Sequence, residues 1–373
     1  MAAPMNKVCL LPRIRCFTNF RRFQLTHCQR NLTSVAHALV YESYGDPRSV
    51  VKIQEQQLPE VSDDEVKVQM IAAPINPADI NTIQGQYPIK PTLPAVGGFE
   101  GVGEVLEVGH RVTNVKLGDK VISNTATLGS WRTHLVCNSS AVRTLPEGTP
   151  LLFAATVRVN MSTAYRLLQD FEDLQPGDCV IQNAANSGAG QAVIQIAAAR
   201  GVNTINIVRD RPDIEDLRSY LQGLGATIVT TESELRQNEK SIMQDVPKPK
   251  LALNAVSGKS CFVLLKQLQP KRTMVTYGGM SRQPVMVPTS SLIFSDIKVR
   301  GYWMSRWHEE TATDTDSAIK MVSELCSWAK SGKLQPPKHK LHSIVDYKQA
   351  LENAMTDYHT EKQILKLDRR GEN

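Results

Sequence analysis

Short apolar runs recur roughly every 20–30 residues through the second half of the chain, and stretches of helical period lie between them. The runs are Cys179-Val180-Ile181 and residues 204–208, 227–229, 251–256, 273–277 and 297–303. Ala192, Val193, Ile196 and Ala197 repeat with the period of a helix, and residues 213–222 and 261–268 read the same way. Strands alternating with helices at this spacing predict a right-handed, doubly wound parallel sheet. The first half differs. From residue 38 to about 155, Gly and Pro punctuate short strands, and Val66-Lys67-Val68-Gln69-Met70 alternates as a half-buried strand does. Glycines inside the strand pattern of residues 100–109 predict the bends of a compact barrel-like domain. Gly101 and Gly103 resemble a phosphate loop, but strand rather than helix follows them, so that reading fails. A chain of 373 residues suits two domains.

Between the run at Cys179 and the helical pattern lies a loop of small residues, from Asn183 to Gly190. Strand, tight turn and helix is the local geometry that binds a dinucleotide pyrophosphate. Small side chains let backbone N–H groups of Asn186, Ser187, Gly188 and Ala189 approach the phosphates, and the helix start favours negative charge. Only Gly188 and Gly190 remain of a three-glycine fingerprint, so the loop alone also fits a plain βα connection. The next strand decides. It ends in Arg209-Asp210-Arg211, where an acid would hold the ribose 2′-hydroxyl of NAD and arginines would hold the 2′-phosphate of NADP. Two guanidinium forks around one carboxylate favour NADP(H). Gly278 and Gly279 follow the fifth strand, where backbone passes close to a ligand or simply turns.

Charge is localised. Lys and Arg number 43 against 37 Asp and Glu, and six of the basic residues lie in residues 1–41, which contain no acid. The rest of the chain is formally neutral, which gives no support to nucleic-acid binding. An Arg-rich, acid-free leader with scattered apolar residues resembles a mitochondrial presequence, predicted over residues 1–35. No later stretch has the length of a membrane span, so no membrane insertion is expected. Cys9, Cys16 and Cys28 fall in the leader, and Cys137, Cys179, Cys261 and Cys326 are scattered without paired spacing. Neither a disulfide framework nor a four-cysteine zinc lobe is expected.

Ile75-Asn76-Pro77-Ala78-Asp79-Ile80-Asn81, the segment from Gly97 to Gly109 and the Leu117-Gly118-Asp119 turn, all ahead of a dinucleotide fold, resemble the medium-chain dehydrogenase/reductase superfamily. The resemblance covers about residues 36–370. It implies an α/β architecture: a GroES-like β-barrel catalytic domain over 36–158, completed by 316–373, and a Rossmann NADP-binding domain over 159–315. Zinc-dependent members carry a histidine where this chain has Phe99, and no ligand cysteine stands beside Asn76 or Asn160, so no metal is expected. Blocks around Ile83-Gln84-Gly85-Gln86-Tyr87, Ser130-Trp131-Arg132-Thr133, Asn160-Met161-Ser162-Thr163-Ala164-Tyr165 and Tyr277-Gly278-Gly279-Met280 look like the mitochondrial trans-2-enoyl-thioester reductases.

That resemblance implies NADPH-dependent reduction of a 2-enoyl thioester carried on acyl carrier protein or CoA, in the mitochondrial matrix, by a homodimer. It makes Tyr87 the proton donor; by its surroundings alone Tyr87 reads as an exposed loop aromatic with no partner. It places Asn160, Tyr302, Trp303 and Met304 against the nicotinamide and Lys362 at the cofactor. By residue type alone these read as a helix cap, a core run and a solvated lysine. With Arg209, Asp210, Arg211, Tyr277, Gly278, Gly279 and Met280 they complete the expected cofactor site. Two rival readings share part of it: a quinone oxidoreductase of the same superfamily, which needs no Tyr87, and a non-catalytic nucleotide-sensing protein.

Overall fold

The computed structural model describes residues 35–311, 315–356 and 361–368; the predicted presequence lies outside them. The first half is built of β1 (Val35–Tyr41), β2 (Val51–Gln57), β3 (Glu65–Pro74), β4 (Ala95–Val96), β5 (Val102–Val108), β6 (Lys120–Ser123), β7 (His134–Asn138) and β8 (Val142–Thr144). The second half supplies β9 (Cys179–Gln182), β10 (Asn203–Val208), β11 (Ile228–Thr231), β12 (Leu251–Asn254), β13 (Thr273–Thr276) and β14 (Lys298–Gly301). The chain then adds β15 (His339–Ser343) and β16 (Lys362–Lys366).

Six strands form one parallel sheet in the order β11-β10-β9-β12-β13-β14. The order reverses between β9 and β12, and it is at such a switch point that a doubly wound sheet takes its dinucleotide. Cys179, Val180 and Ile181 are buried on both faces of β9, as a central parallel strand requires. Each apolar run picked out above coincides with one of these strands to within a few residues.

The first half makes a three-stranded sheet, β2-β1-β4, and a seven-stranded one, in which β15-β16-β3-β5-β6-β8 are neighbours and β7 pairs with β3. β16 runs antiparallel to β3, with Ile364 opposite Pro74, so the last strand returns some 290 residues later to the sheet of the first half. Trp131, fully buried, packs with Leu39, Tyr41, Ile83 and Leu135 in the core of this part. β5 meets β3 with register shifts between Lys67 and Val68 and between Met70 and Ala72, so the bends expected of this segment occur as bulges. A second core joins the halves, with Phe153, Met161, Leu167, Val193, Ile196 and Leu325 packed together.

Candidate active site

The loop after β9 is held rigidly. Ala184 adopts φ 50°, and the Asn183 amide donates to Asn254 Oδ1 at 2.9 Å while its Oδ1 accepts the Ala255 N–H at 2.7 Å. Ser187 caps helix Gly188–Ala199, its hydroxyl accepting from the Gly190 N–H at 3.1 Å. The first turn therefore presents the N–H groups of Gly188 and Ala189. A Cβ on Gly188 would stand 2.9 Å from Asn160 Oδ1 and 3.2 Å from Lys362 Cε. A Cβ on Gly190 would stand 2.6 Å from the Ala185 carbonyl. Both glycines are thus required by close approach, one to the site and one to the loop's own backbone.

Asn160 and Lys362 belong to a buried polar network. Asn160 lies inside a π-helical turn, Val157–Met161, rather than capping the following helix; the wider turn carries its side chain inward. Its Nδ2 donates to Asn76 Oδ1 at 3.1 Å and to Glu100 Oε1 at 3.3 Å, leaving Oδ1 facing Gly188. Asn76 Nδ2 donates to Glu100 Oε1 at 2.8 Å, and the Val159 N–H to Glu100 Oε2 at 2.7 Å. Lys362 Nζ donates to Asn76 Oδ1 at 2.7 Å, so this lysine is not the solvated residue its sequence position suggests. Asp79 accepts the N–H groups of Asn76 and Phe99 at 2.7 and 2.9 Å. Burial pushes Asp79 up to about 7, the Glu100 charge adding to it and the two backbone N–H bonds opposing it. Burial also raises Glu100 and lowers Lys362, each partly restored by the other's charge. Asn76, Asp79 and Glu100 escaped sequence reasoning as functional residues, because only the fold buries them together.

Tyr87 is half-buried, not an exposed aromatic. Its hydroxyl accepts a 2.6 Å hydrogen bond from Trp303 Nε1, and its ring lies 5.8 Å from Phe99 and 5.9 Å from Trp303. Burial raises the Tyr87 pKa, with hydrogen bonds from Trp303 and Ser305 opposing, so the phenol is protonated at neutral pH. The Tyr302 hydroxyl donates to Met304 Sδ at 3.0 Å, and both residues pack against the core that joins the halves, as does Tyr277. The Tyr277 hydroxyl is buried with no partner among the described residues. Gly278 accepts from Ser257 Oγ at 3.3 Å, Met280 is exposed, and Gly279 lies between them. At the end of β10, Arg211 Nε bonds Asp213 Oδ1 at 2.6 Å and Asp210 Oδ2 accepts from Ser233 Oγ at 2.9 Å. Arg209 precedes them.

A rigid loop at a sheet switch point, glycine contact with Asn160 and Lys362, and an orphaned Tyr277 hydroxyl fit a dinucleotide. Residues 62–169 match the family model described as "Alcohol dehydrogenase GroES-like domain", and residues 188–322 that described as "Zinc-binding dehydrogenase". Human mitochondrial enoyl-acyl-carrier-protein reductase is 52% identical over 331 residues, 88% of this chain and 88% of that protein. The chain belongs to the mitochondrial enoyl-acyl-carrier-protein reductases. These reductases lie within the medium-chain dehydrogenase/reductase superfamily, and the chain is an oxidoreductase with its α/β fold. A solved Etr1p/NADP/crotonyl-CoA complex matches with a TM-score of 0.82 and 33% identity, over 90% of this chain and 100% of that one. A Pseudomonas syringae quinone oxidoreductase, at 23% identity and a TM-score of 0.75 over 88% of this chain and 99% of that one, shares the fold. In this reductase the zinc-type name of the second model finds no ligand set: among the described residues no three His, Cys, Asp or Glu converge.

Proposed function

We propose that the protein reduces 2-enoyl thioesters with NADPH, in the mitochondrial matrix, on chains carried by acyl carrier protein or CoA. The carrying observation is the Tyr87 hydroxyl, fixed by Trp303 Nε1 and protonated, in the same part of the fold as the Asn160–Gly188 cofactor cradle. When bound, the dinucleotide would supply the hydride for Cβ. Asn160 Oδ1 and Lys362 would hold its nicotinamide end, the N–H groups of Gly188 and Ala189 its pyrophosphate, and Arg209 and Arg211 its 2′-phosphate. Because Trp303 Nε1 donates to the Tyr87 oxygen, the Tyr87 proton is left to point away from the indole. It is delivered to Cα, and the hydrogen bonds of Trp303 and Ser305 then stabilise the phenolate until it is reprotonated from solvent. A cavity of about 500 Å³ borders Phe99 on the barrel side, lined by Ile83, Pro94, Ala95, Val96 and Leu128 among others, and offers the acyl chain a place.

We further infer a homodimer. β14 is an edge strand with all four residues exposed, and Ile293 and Phe294, just before it, are 66% and 83% exposed. An open edge beside exposed apolar side chains is a surface that pairing with a second copy would cover. Light scattering after gel filtration tests the dimer. For the activity, NADPH oxidation is followed with a 2-enoyl-CoA and, separately, with a quinone. Turnover of the enoyl thioester supports the reading; turnover of the quinone alone gives the quinone oxidoreductase, and of neither, the non-catalytic protein.

A further inference from the structure

β10 and β11 are parallel neighbours with Val208 opposite Thr231. Two residues beyond that pair on each side, the chain brings Ser233 to Asp210, and the Ser233 hydroxyl donates to Asp210 Oδ2 at 2.9 Å. Ser233 Oγ also lies 2.9 Å from Thr231 Oγ1, which accepts the Glu234 N–H at 3.2 Å. With its own proton committed to Asp210, Ser233 takes the proton of the Thr231 hydroxyl. Hydrogen bonds then run one way, from the Glu234 N–H through Thr231 and Ser233 to the carboxylate, each polarising the next. The platform is itself fixed. Glu234 Oε2 accepts the Thr231 N–H at 3.0 Å in a capping box, and Arg218 binds Glu234 Oε1 at 3.0 Å.

Asp210 follows β10 closely, where an acid ordinarily accepts the ribose 2′-hydroxyl of NAD. Its charge is the one feature of Arg209-Asp210-Arg211 that opposes a 2′-phosphate. We propose that Ser233 is a cofactor-specificity residue, whose hydroxyl ties the Asp210 carboxylate to the β11 side and leaves the ribose 2′ position to the two arginines. This rests on the NADPH reading and accounts for its contrary residue.

The test is kcat/KM for NADPH and for NADH at saturating enoyl-CoA, in wild type, Ser233→Ala, Ser233→Thr, Asp210→Ala and the Ser233→Ala/Asp210→Ala double variant. Releasing one exposed carboxylate is worth about 1 kcal/mol at most, so Ser233→Ala lowers the NADPH-to-NADH ratio up to about five-fold. The change falls in KM for NADPH rather than in kcat. Threonine keeps a hydroxyl and keeps the wild-type ratio. Because Ser233 acts through Asp210, Ser233→Ala changes nothing when Asp210 is already alanine. An unmoved ratio in Ser233→Ala, or an equal loss with and without Asp210, overturns the proposal. Wild type using NADH as well as NADPH refutes the cofactor reading itself, whereas an NADPH-preferring wild type with an unmoved Ser233→Ala refutes only the role of Ser233.

Discussion

Trp303 Nε1 donates to the Tyr87 hydroxyl at 2.6 Å, joining residues 216 positions apart in the chain. The indole N–H is a donor only, so the direction of this bond is unambiguous. It occupies a lone pair of the phenol oxygen and leaves the phenol proton for another acceptor. Their rings meet nearly edge to face, at 82°, which fixes the angle of the hydroxyl as well as its distance.

Tyr87→Phe removes the proton and keeps the ring packing on Phe99 and Trp303. Turnover should fall by about 10²–10⁴-fold, the usual worth of a positioned acid, with cofactor binding intact. Trp303→Phe leaves the acid in place but loses a donor to its oxygen, and should cost about ten-fold in kcat. It should also move the alkaline limb of the kcat profile upward, since the Trp303 bond lowers the Tyr87 pKa. Steady-state kinetics across pH checks both; near-wild-type kcat in Tyr87→Phe, with chemistry limiting, would remove the acid from this role.

Glu100 accepts three donors, from Val159, Asn76 and Asn160, and is fully buried. Glu100→Ala leaves the Val159 N–H and Asn76 Nδ2 without that acceptor, takes one of two acceptors from Asn160, and strips Lys362 and Arg158 of a nearby negative charge. Breaking a buried charge network of this kind costs about 3–5 kcal/mol. Calorimetry should show a lowered unfolding temperature, and KM for NADPH should rise because Asn160 loses one of its two anchors. Unchanged stability would mean that water replaces the carboxylate.

The strands β9 to β13 were legible because buried parallel strands are nearly continuous apolar runs, the exposed edge strand β14 only by its spacing after them, and the loop from Asn183 to Gly190 because only small residues fit it. The buried polar network of Asn76, Asp79, Glu100, Asn160 and Lys362 was not. Lys362 reaches Asn76 only because β16 pairs antiparallel with β3, a register set by contacts across almost the whole chain. Asn160 reads as a cap from its place before a helix, whereas a single π turn makes it an interior amide. Asp79 and Glu100 look like ordinary surface acids, and the packing of Asn76, Phe99 and Val159 backbone around them has no local signature.

Metal removal should leave activity unchanged. The residue in the position of the zinc histidine, Phe99, gives its ring to Tyr87, and the nearby carboxylates Asp79 and Glu100 interact with the Lys362 ammonium as their cation. Enzyme treated with a strong chelator and desalted should retain its rate, and elemental analysis should find no stoichiometric zinc. Loss of rate restored by added zinc would contradict this.

Acid lability should arise in part from His308. Its ring lies beside Trp307, 5.3 Å between centroids, and its Nε2 is buried with no partner among the described residues. Burial lowers its pKa from 6.5 to about 3, with the Arg158 and Arg143 charges adding to the fall and a hydrogen bond to the Arg158 backbone opposing it. The unfolded chain therefore binds a proton near pH 6.5 that the folded chain refuses until far lower pH. The stabilising contribution is complete above that pH and is lost progressively as pH falls toward about 3, at up to about 1.4 kcal/mol per pH unit. Asp79 titrates with the opposite sign: its folded pKa is raised from 3.8 to about 7, so its contribution is complete below 3.8 and is lost as pH rises toward about 7. Subtracting a His308→Leu variant from wild type cancels Asp79 and every other shared group. The variant's unfolding temperature should decline less steeply than that of wild type between pH 6.5 and pH 5, and parallel declines would show that the folded protein accepts the His308 proton after all.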